Sequence, residues 1–320
     1  MYDVVAIGEA LIDFTPLGKS DRGNQIFERN PGGAPANVLA YLAKLNKKTA
    51  FIGKVGNDQF GYFLKDTLCN NKIDTKGLKF DEQINTTLAF VHLKEDGDRE
   101  FSFYRNPGAD LNLKNDDIDY EIVKNTKILH FGSLSLTDNP ARATTFKVLD
   151  YAKQHNILIS YDPNLRQPLW ADLDLAKKMI IEGLRYADIV KISEEELDFI
   201  TGIDDVEKGS DNILKLYNNI KLLFVTLGDK GSYYKTNNTD GFVGGFKVEA
   251  VDTTGAGDSF LGGILYNILT LDKKVGQLTN NDLHDIVKFS NAGASIVTTR
   301  YGAISVMPTY EEIENKLRYS

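Results

Sequence analysis

The 320-residue sequence predicts an α/β protein built on a mostly parallel sheet flanked by helices, with a small β-sheet lid beside it. Three observations carry this expectation. Short apolar runs recur with the continuous character of strands covered on both faces, helical patterns separate several of them, and two stretches break the rhythm as antiparallel ribbon.

Taken in order, the strand-like runs are "DVVAIG", "TAFIGKVG", "KILHFGSL", "ILISYDP", "DIVKIS" and "LLFVTLG". The stretch "PANVLAYLAKLNK" sets Val38, Leu42 and Leu45 on one helical face, and "SFLGGILYNILTL" repeats Phe260, Ile264 and Ile268 beside Leu261, Leu265 and Leu269. Strands alternating with helices argue for a mostly parallel sheet. The clearer ribbon is "TTLAFVHLKEDGDREFSFYR", with a charged turn at Asp96 and Gly97, Phe101 and Phe103 on one side, and Ser102 and Tyr104 on the other. The second covers roughly residues 11 to 30. The two ribbons either pair with each other as a lid or extend an edge of the main sheet. The expected organisation is a single domain over 1–320 with the lid inserted at about 11–30 and 86–107; no repeat or flexible linker divides it.

Composition removes several function classes. With 37 basic against 45 acidic residues and a net charge of −8, no extended basic face for nucleic acid or anionic membrane is expected. A single cysteine, Cys69, excludes an intrachain disulfide framework and fits a reducing compartment, so a cytoplasmic location is expected. The start "MYDVVAIGEALIDF" has no basic leader and is broken by Gly8, Glu9 and Asp13, so it reads as a first strand. No run approaches the uncharged length of a membrane span. The four histidines, His92, His130, His155 and His284, lack ligand spacing. There is no GxxxxGK[ST] loop, and Phe260 occupies the third glycine position of a dinucleotide fingerprint, which disfavours an oxidoreductase.

The stretch "DTTGAGDSF" at 252–260 follows a strand-like "FKVEAV" and opens a helix. A helix start has unpaired N–H groups and partial positive charge, and the small residues Gly255, Ala256 and Gly257 let an anion approach them. Asp258 sits in the first turn beside that hole, where the helix field keeps it ionised and ready to take a proton from an attacking alcohol. The structural alternative is a helix cap made by Asp258 or Asp252. A second stretch, "NPGGAPANVLAYLAKLNKKTAFIGKVGNDQFG", reads by itself equally as a place where Gly32, Gly33 and Asn37 hold a neutral polyol against backbone or as a glycine turn followed by a surface asparagine.

Together the two stretches resemble the PfkB family of carbohydrate kinases, whose N-terminal signature is similar to residues 32–61 and whose C-terminal signature is similar to "DTTGAGDSFLGGIL". The resemblance covers essentially the whole chain and implies a ribokinase-like fold. Pro35 within "GGAPAN", the ribbon "REFSFYRNPGAD" and "DPNLRQPLW" look like fructokinases within the family, where ribokinases usually show "GGKGAN". What it implies is ATP-dependent transfer of phosphate to the 6-hydroxyl of D-fructose. Kinases for 2-keto-3-deoxygluconate or ribose are the near alternatives, and a noncatalytic sugar sensor is a distant one. Asp258 becomes the base, and Gly255, Ala256 and Gly257 the anion hole. Asp13, Gly33 and Asn37 hold sugar hydroxyls, Arg105 and Arg166 approach the sugar or the transferred phosphate, and Phe101 and Phe103 either pack the ribbon or cover the sugar.

On the nucleotide side the resemblance assigns "VKISEEEL" and "VTLGDKGS". Ser193 stands where asparagine is usual in N-x-x-E, and Glu196 supplies the carboxylate linked through water to magnesium. Thr226, Gly228 and Gly257 approach the nucleotide, and Asn291 either lines the adenine pocket or is a helical surface residue. Magnesium arrives with ATP. A potassium-type site falls near Asp252 and Thr254 with carbonyls around Val297 and Gly302, although Val306 stands where some members have a hydroxyl. The exposed edge of the lid suggests a homodimer.

Overall fold

The computed structural model describes residues 1–93, 99–271 and 273–319, and the side chains of these except at 93 and 99–101. The turn expected at Asp96 and Gly97 lies outside the described residues, as does the Phe101 side chain. In chain order the strands are β1 (Tyr2–Ile7), β2 (Leu11–Lys19), β3 (Gln25–Gly32), β4 (Thr49–Gly56), β5 (Ile73–Asp81), β6 (Leu88–Leu93), β7 (Arg99–Tyr104), β8 (Thr126–Gly132), β9 (Leu158–Asp162), β10 (Ile189–Ser193), β11 (Leu222–Thr226), β12 (Gly231–Lys235) and β13 (Asp240–Gly244). The helices are α1 (Ala34–Lys44), α2 (Gln59–Asn70), α3 (Tyr120–Lys124), α4 (Ala141–Gln154), α5 (Leu173–Leu184), α6 (Glu194–Thr201), α7 (Val206–Leu216), α8 (Ala256–Thr270), α9 (Asn280–Thr298) and α10 (Tyr310–Tyr319).

Nine strands form one sheet in the order β13-β12-β11-β10-β9-β8-β1-β4-β5, parallel except for the β11–β12–β13 edge. Alternation along β1 sends Val4 and Ala6 into the core beneath α1, α8 and α9, and Val5 and Ile7 into the core beneath α4 and α5. Both faces are therefore covered, as the unbroken apolar runs require. β5, β12 and β13 have no such run: "IDTKGLKFD" and "GSYYK" mix polar residues into edge positions, and the sequence reading did not single them out.

The two ribbons form a separate four-stranded sheet in the order β3-β2-β6-β7, with β2 and β6 parallel at the junction. The lid arrangement is thus the observed one, and the edge extension is not. Register sets Asn30, Asp13, Ala89 and Phe103 in one row across the sheet, and Phe14 and Phe90 in the next. Successive rows point to opposite faces. The first contributes Asn30, Asp13 and Phe103 to a cavity wall, and in the second Phe14 and Phe90 stack 4.7 Å apart while Phe14 also packs edge-on against Phe60 of α2.

The helix that matters most is α8. Phe260, Leu261, Ile264 and Leu265 are at most 2 % exposed, and burial of each contributes about 1.5–3 kcal/mol. Its Gly263 packs on α9 so closely that a Cβ would lie 2.7 Å from Ser290 Oγ and 2.9 Å from Ser290 Cα. Gly263→Ala should therefore destabilise the protein by roughly 1–3 kcal/mol despite alanine's better helix propensity. Urea unfolding would show this as a lower midpoint at unchanged slope.

Candidate active site

Strand order reverses beside β1, with β4 and β5 to one side and β8 to β11 on the other. Ligands in open α/β sheets bind at the carboxyl ends of strands at such a reversal. A cavity of about 430 Å³ lies there, walled by the strand ends on one side and by the inner face of the small sheet on the other.

The loop before α8 supplies the floor. Gly255 is the N-cap at φ 76°, a left-handed conformation that favours glycine, and a Cβ on it would lie 2.8 Å from Ala303 Cβ. Gly257 is less constrained: it lies within the helix, and a Cβ on it would meet only the Lys191 ammonium at 2.8 Å, the end of a side chain. Gly255, Gly257 and Asp258 line the cavity. Ala256 is not part of the wall, and its N–H donates to the Thr253 carbonyl at 3.2 Å.

Asp258 is only 6 % exposed. Asn37 Nδ2 donates to its Oδ2 at 2.7 Å and Asn164 Nδ2 to its Oδ1 at 3.0 Å. Burial raises its proton affinity, opposed by the Asn37 bond, the charges of Lys191 and Arg166, and the Asn164 bond. The carboxyl is thus a stronger base than the helix end alone would make it. Lys191 Nζ lies 3.1 Å from Asp162 Oδ2, both side chains buried. Burial lowers the Lys191 pKa, but the charges of Asp162, Glu196 and Asp258 more than offset this and hold it protonated.

The other wall comes from α1 and the small sheet. Gly33, at φ 118°, caps α1, and a Cβ there would lie 2.5 Å from the Glu9 carbonyl oxygen. Asn37 follows one turn later with its N–H on the Gly33 carbonyl at 3.0 Å. Asp13, Gly33, Asn37, Phe103 and Arg166 all line the cavity. Burial pushes the Asp13 carboxyl up to about 6, eased by Arg166 and reinforced by Asp252.

Arg105 departs from the expectation. It is 4 % exposed and lies outside the cavity wall. Its Nε and Nη2 donate to Asp110 Oδ2 at 2.8 and 2.5 Å, Nη1 to Thr137 Oγ1 at 3.0 Å, and Nη2 also to the Leu134 carbonyl at 2.9 Å. Residue 105 follows the end of β7, and its side chain turns into the main domain instead of following the strand face to the cavity.

On the expected nucleotide side, register sets Ser193 and Thr226 together at adjacent strand ends. Gly228 follows at φ 60° with open space where a Cβ would stand. Ser193 and Glu196 form a reciprocal capping box at the start of α6, and Glu196 Oε1 accepts the Leu165 N–H at 2.7 Å. Burial and the charge of Asp162 raise the Glu196 pKa, opposed by Lys191. Asn291 is buried and not a surface residue: Oδ1 accepts from Ser232 Oγ at 2.8 Å, and Nδ2 donates to the Val243 and Gly244 carbonyls. Thr226 Oγ1 donates to the Ile192 carbonyl at 3.4 Å.

Asp252 Oδ1 accepts from Thr254 N and Oγ1 at 2.9 and 2.6 Å, and Oδ2 from Gly302 N at 3.0 Å. This pins the loop before α8 to the Gly302 turn, while the Val297 carbonyl accepts the Arg300 N–H. Among the described residues no group of three or more His, Cys, Asp or Glu could hold a metal ion.

Sequence reasoning passed over Lys191, Asp162, Asn164, Glu9 and Asn30, all of which the structure brings to or beside the cavity. A lysine inside the apolar strand "DIVKIS" was a readable signal, because an unpaired buried cation is costly. Asn164 at φ 48° was readable only as a turn residue.

The family model described as "pfkB family carbohydrate kinase" matches residues 1–310. Among curated relatives, a probable fructokinase-4 of Arabidopsis thaliana is 43 % identical over 318 residues, covering 98 % of this chain and 96 % of the relative. Fructokinase from Xylella fastidiosa with bound ATP superposes with a TM-score of 0.91 at 31 % identity, covering 99 % of both chains. Fructokinase from Vibrio cholerae O395 with fructose, ADP and calcium ion gives 0.89 at 36 %, again over 99 % of both. A putative ribokinase II from E. coli with ATP and Mg²⁺ gives 0.88 at 27 %, over 100 % of both.

Arg105→Met should cost about 3–5 kcal/mol of stability in denaturant unfolding, since it leaves the buried Asp110 carboxylate unpaired. Asp13 behaves in the opposite sense. Its folded pKa of about 6 exceeds the ordinary value of about 4, so its contribution to stability falls as pH rises between the two. Relative to the parent, Asp13→Asn should gain stability across that window and keep the gain at pH 7, as urea midpoints at a series of pH values would record.

Proposed function

Because the chain belongs to the pfkB family of carbohydrate kinases, we infer that it acts as an ATP-dependent fructokinase, transferring the γ-phosphate of ATP to the 6-hydroxyl of D-fructose. The observation that carries the reading is the cavity's polarity. A buried carboxylate stands beside a glycine-lined helix start flanked by Lys191 and Arg166, with further carboxylates, Glu9 and Asp13, in the same wall.

In this reading the sugar oxygen attacks the γ-phosphorus, the bond to the β-phosphate bridging oxygen breaks, and the hydroxyl proton passes to Asp258. Asn37 and Asn164 hold the carboxylate in position. Gly255 and Gly257 let the helix start approach the phosphoryl oxygens, and Lys191 and Arg166 balance their charge. Asp13, Gly33 and Asn37 hold the sugar, and Phe103 with its strand excludes water as the lid closes. Magnesium, carried on the triphosphate, neutralises charge developing between the β- and γ-phosphates. The described residues fit such a carried ion: they offer no preformed cluster of acidic and imidazole ligands, and Glu196, with both oxygens on backbone N–H groups, would reach it only through water. A potassium-type ion would lie by Asp252 and Thr254, where the Asp252 carboxylate holds the Gly302 turn against the loop before α8.

A kinase for a sugar acid is less well supported. It would need guanidinium groups for the acid's carboxylate, and Arg105 is committed to Asp110 while Glu9 and Asp13 would repel the acid. For assembly we favour a homodimer through the lid, where Phe90 packs against the exposed Tyr104. No helix among the described residues is long and apolar enough to cross a membrane. ATP as substrate and a single cysteine favour the cytoplasm.

An assay of ADP release with fructose, ribose and 2-keto-3-deoxygluconate tests the substrate, and fructose should give the highest kcat/KM. Asp258→Asn should lower kcat by about two to four powers of ten while sparing fructose and ATP binding. Near-normal turnover would overturn the assignment of the base.

A further inference from the structure

Glu9 follows the end of β1, where the chain turns towards the small sheet. It is 3 % exposed, lines the cavity, and has no part in the chemistry described above. Its Oε1 accepts the Ala34 N–H at 3.0 Å, at the first residue of α1. Its Oε2 is buried with no hydrogen-bond partner among the described residues, and the same is true of Asn37 Oδ1 one turn along α1. The nearby cation does not answer this need, because Arg105 is bound to Asp110, Thr137 and the Leu134 carbonyl. Buried polar atoms are rarely left unpaired, so two orphan acceptors on one cavity wall call for an explanation. Both lack a hydrogen-bond donor.

We propose that Glu9 is a sugar ligand: its Oε2, together with Asn37 Oδ1, accepts hydrogen bonds from hydroxyls of the bound ketose other than the one phosphorylated, and so determines which sugars are taken. This rests on the fructokinase reading for the identity of the sugar. A hydroxyl suits the site better than a cation does. Burial raises the Glu9 pKa to about 7, and a hydroxyl, being donor and acceptor at once, pairs with either protonation state of the carboxyl. A site built around such a pair rejects a sugar lacking that hydroxyl, because the acceptor would be left buried and unpaired.

Glu9→Gln separates this role from a structural one. Glutamine keeps one oxygen for the Ala34 N–H and replaces the orphan acceptor with a donor. Fructose binding, measured by calorimetry without nucleotide and as KM in turnover, should weaken by roughly 10–100-fold, with the KM for ATP and the melting temperature of the unliganded protein nearly unchanged. Fructose analogues lacking one hydroxyl each give a second readout. One should bind the parent poorly, and that penalty should shrink in the variant. Parent-like fructose binding in the variant, or an equal loss for every analogue accompanied by weakened ATP binding, would overturn the proposal. Failure of the parent to phosphorylate fructose would instead overturn the fructokinase reading, and calorimetric sugar binding would still decide for or against Glu9.

Discussion

The buried carboxylate of Asp258, set against a helix start that has room for a second anion, is the constraint to which the surrounding residues answer. Two unit charges 4 Å apart interact by about 4 kcal/mol at an effective dielectric constant of 20, so an anion brought there meets real repulsion unless cations share the space. Lys191 supplies one from within the sheet. It is held protonated by carboxylates on three sides, and its own desolvation is offset by them. Asn37 and Asn164 add hydrogen bonds that an ionised carboxylate needs in order to stay buried. This shell offsets part of the rise in proton affinity that burial imposes on the carboxyl.

Long-range topology delivers that shell. Asn37 comes from α1, Asn164 follows β9, Lys191 lies on β10 and Asp258 opens α8, so four distant segments converge on one carboxylate. The glycines let them approach. Gly257 sits where any Cβ would meet the Lys191 ammonium, and Gly255 where one would meet Ala303. The tight packing of α8 on α9 through Gly263 then fixes the depth at which the first turn enters the cavity. Small residues along α8 thus set the position of a charge at its end.

Local patterns were readable in the sequence where one segment decides the outcome. The apolar runs became parallel strands, "PANVLAYLAKLNK" and "SFLGGILYNILTL" became α1 and α8, and both ribbons became the small sheet. Gly33, Asn37, Gly255, Gly257 and Asp258 were visible as two glycine-rich stretches that each open a helix, although such residues also serve as ordinary caps. Side-chain direction after a strand end was not visible. Arg105 looked like a cavity residue by proximity to the ribbon, yet it pairs with Asp110, a partner that only the folded turn supplies. Asn291 looked like a pocket residue on a helix, but its amide is consumed by β12 and β13, edge strands whose mixed composition hid them. The lysine within "DIVKIS" was readable as a buried cation, but its partner Asp162 was not, since an ion pair between neighbouring strands has no sequence spacing to betray it.

The polarity of the cavity explains how a protein of net charge −8 can handle a polyanion. Long-range attraction is unavailable, so binding must rely on groups within a Debye length, about 8 Å at physiological ionic strength. Lys191, Arg166 and the start of α8 provide those groups in the part of the wall that also holds Asp258. Glu9 and Asp13 bring carboxyls whose proton affinity is raised by burial, an environment that repels a phosphate and accepts hydroxyl donors. Arg166 belongs to both groups, since its charge acts on Asp13 as well as on Asp258, so the cavity interleaves cations with carboxyls instead of dividing them into two ends.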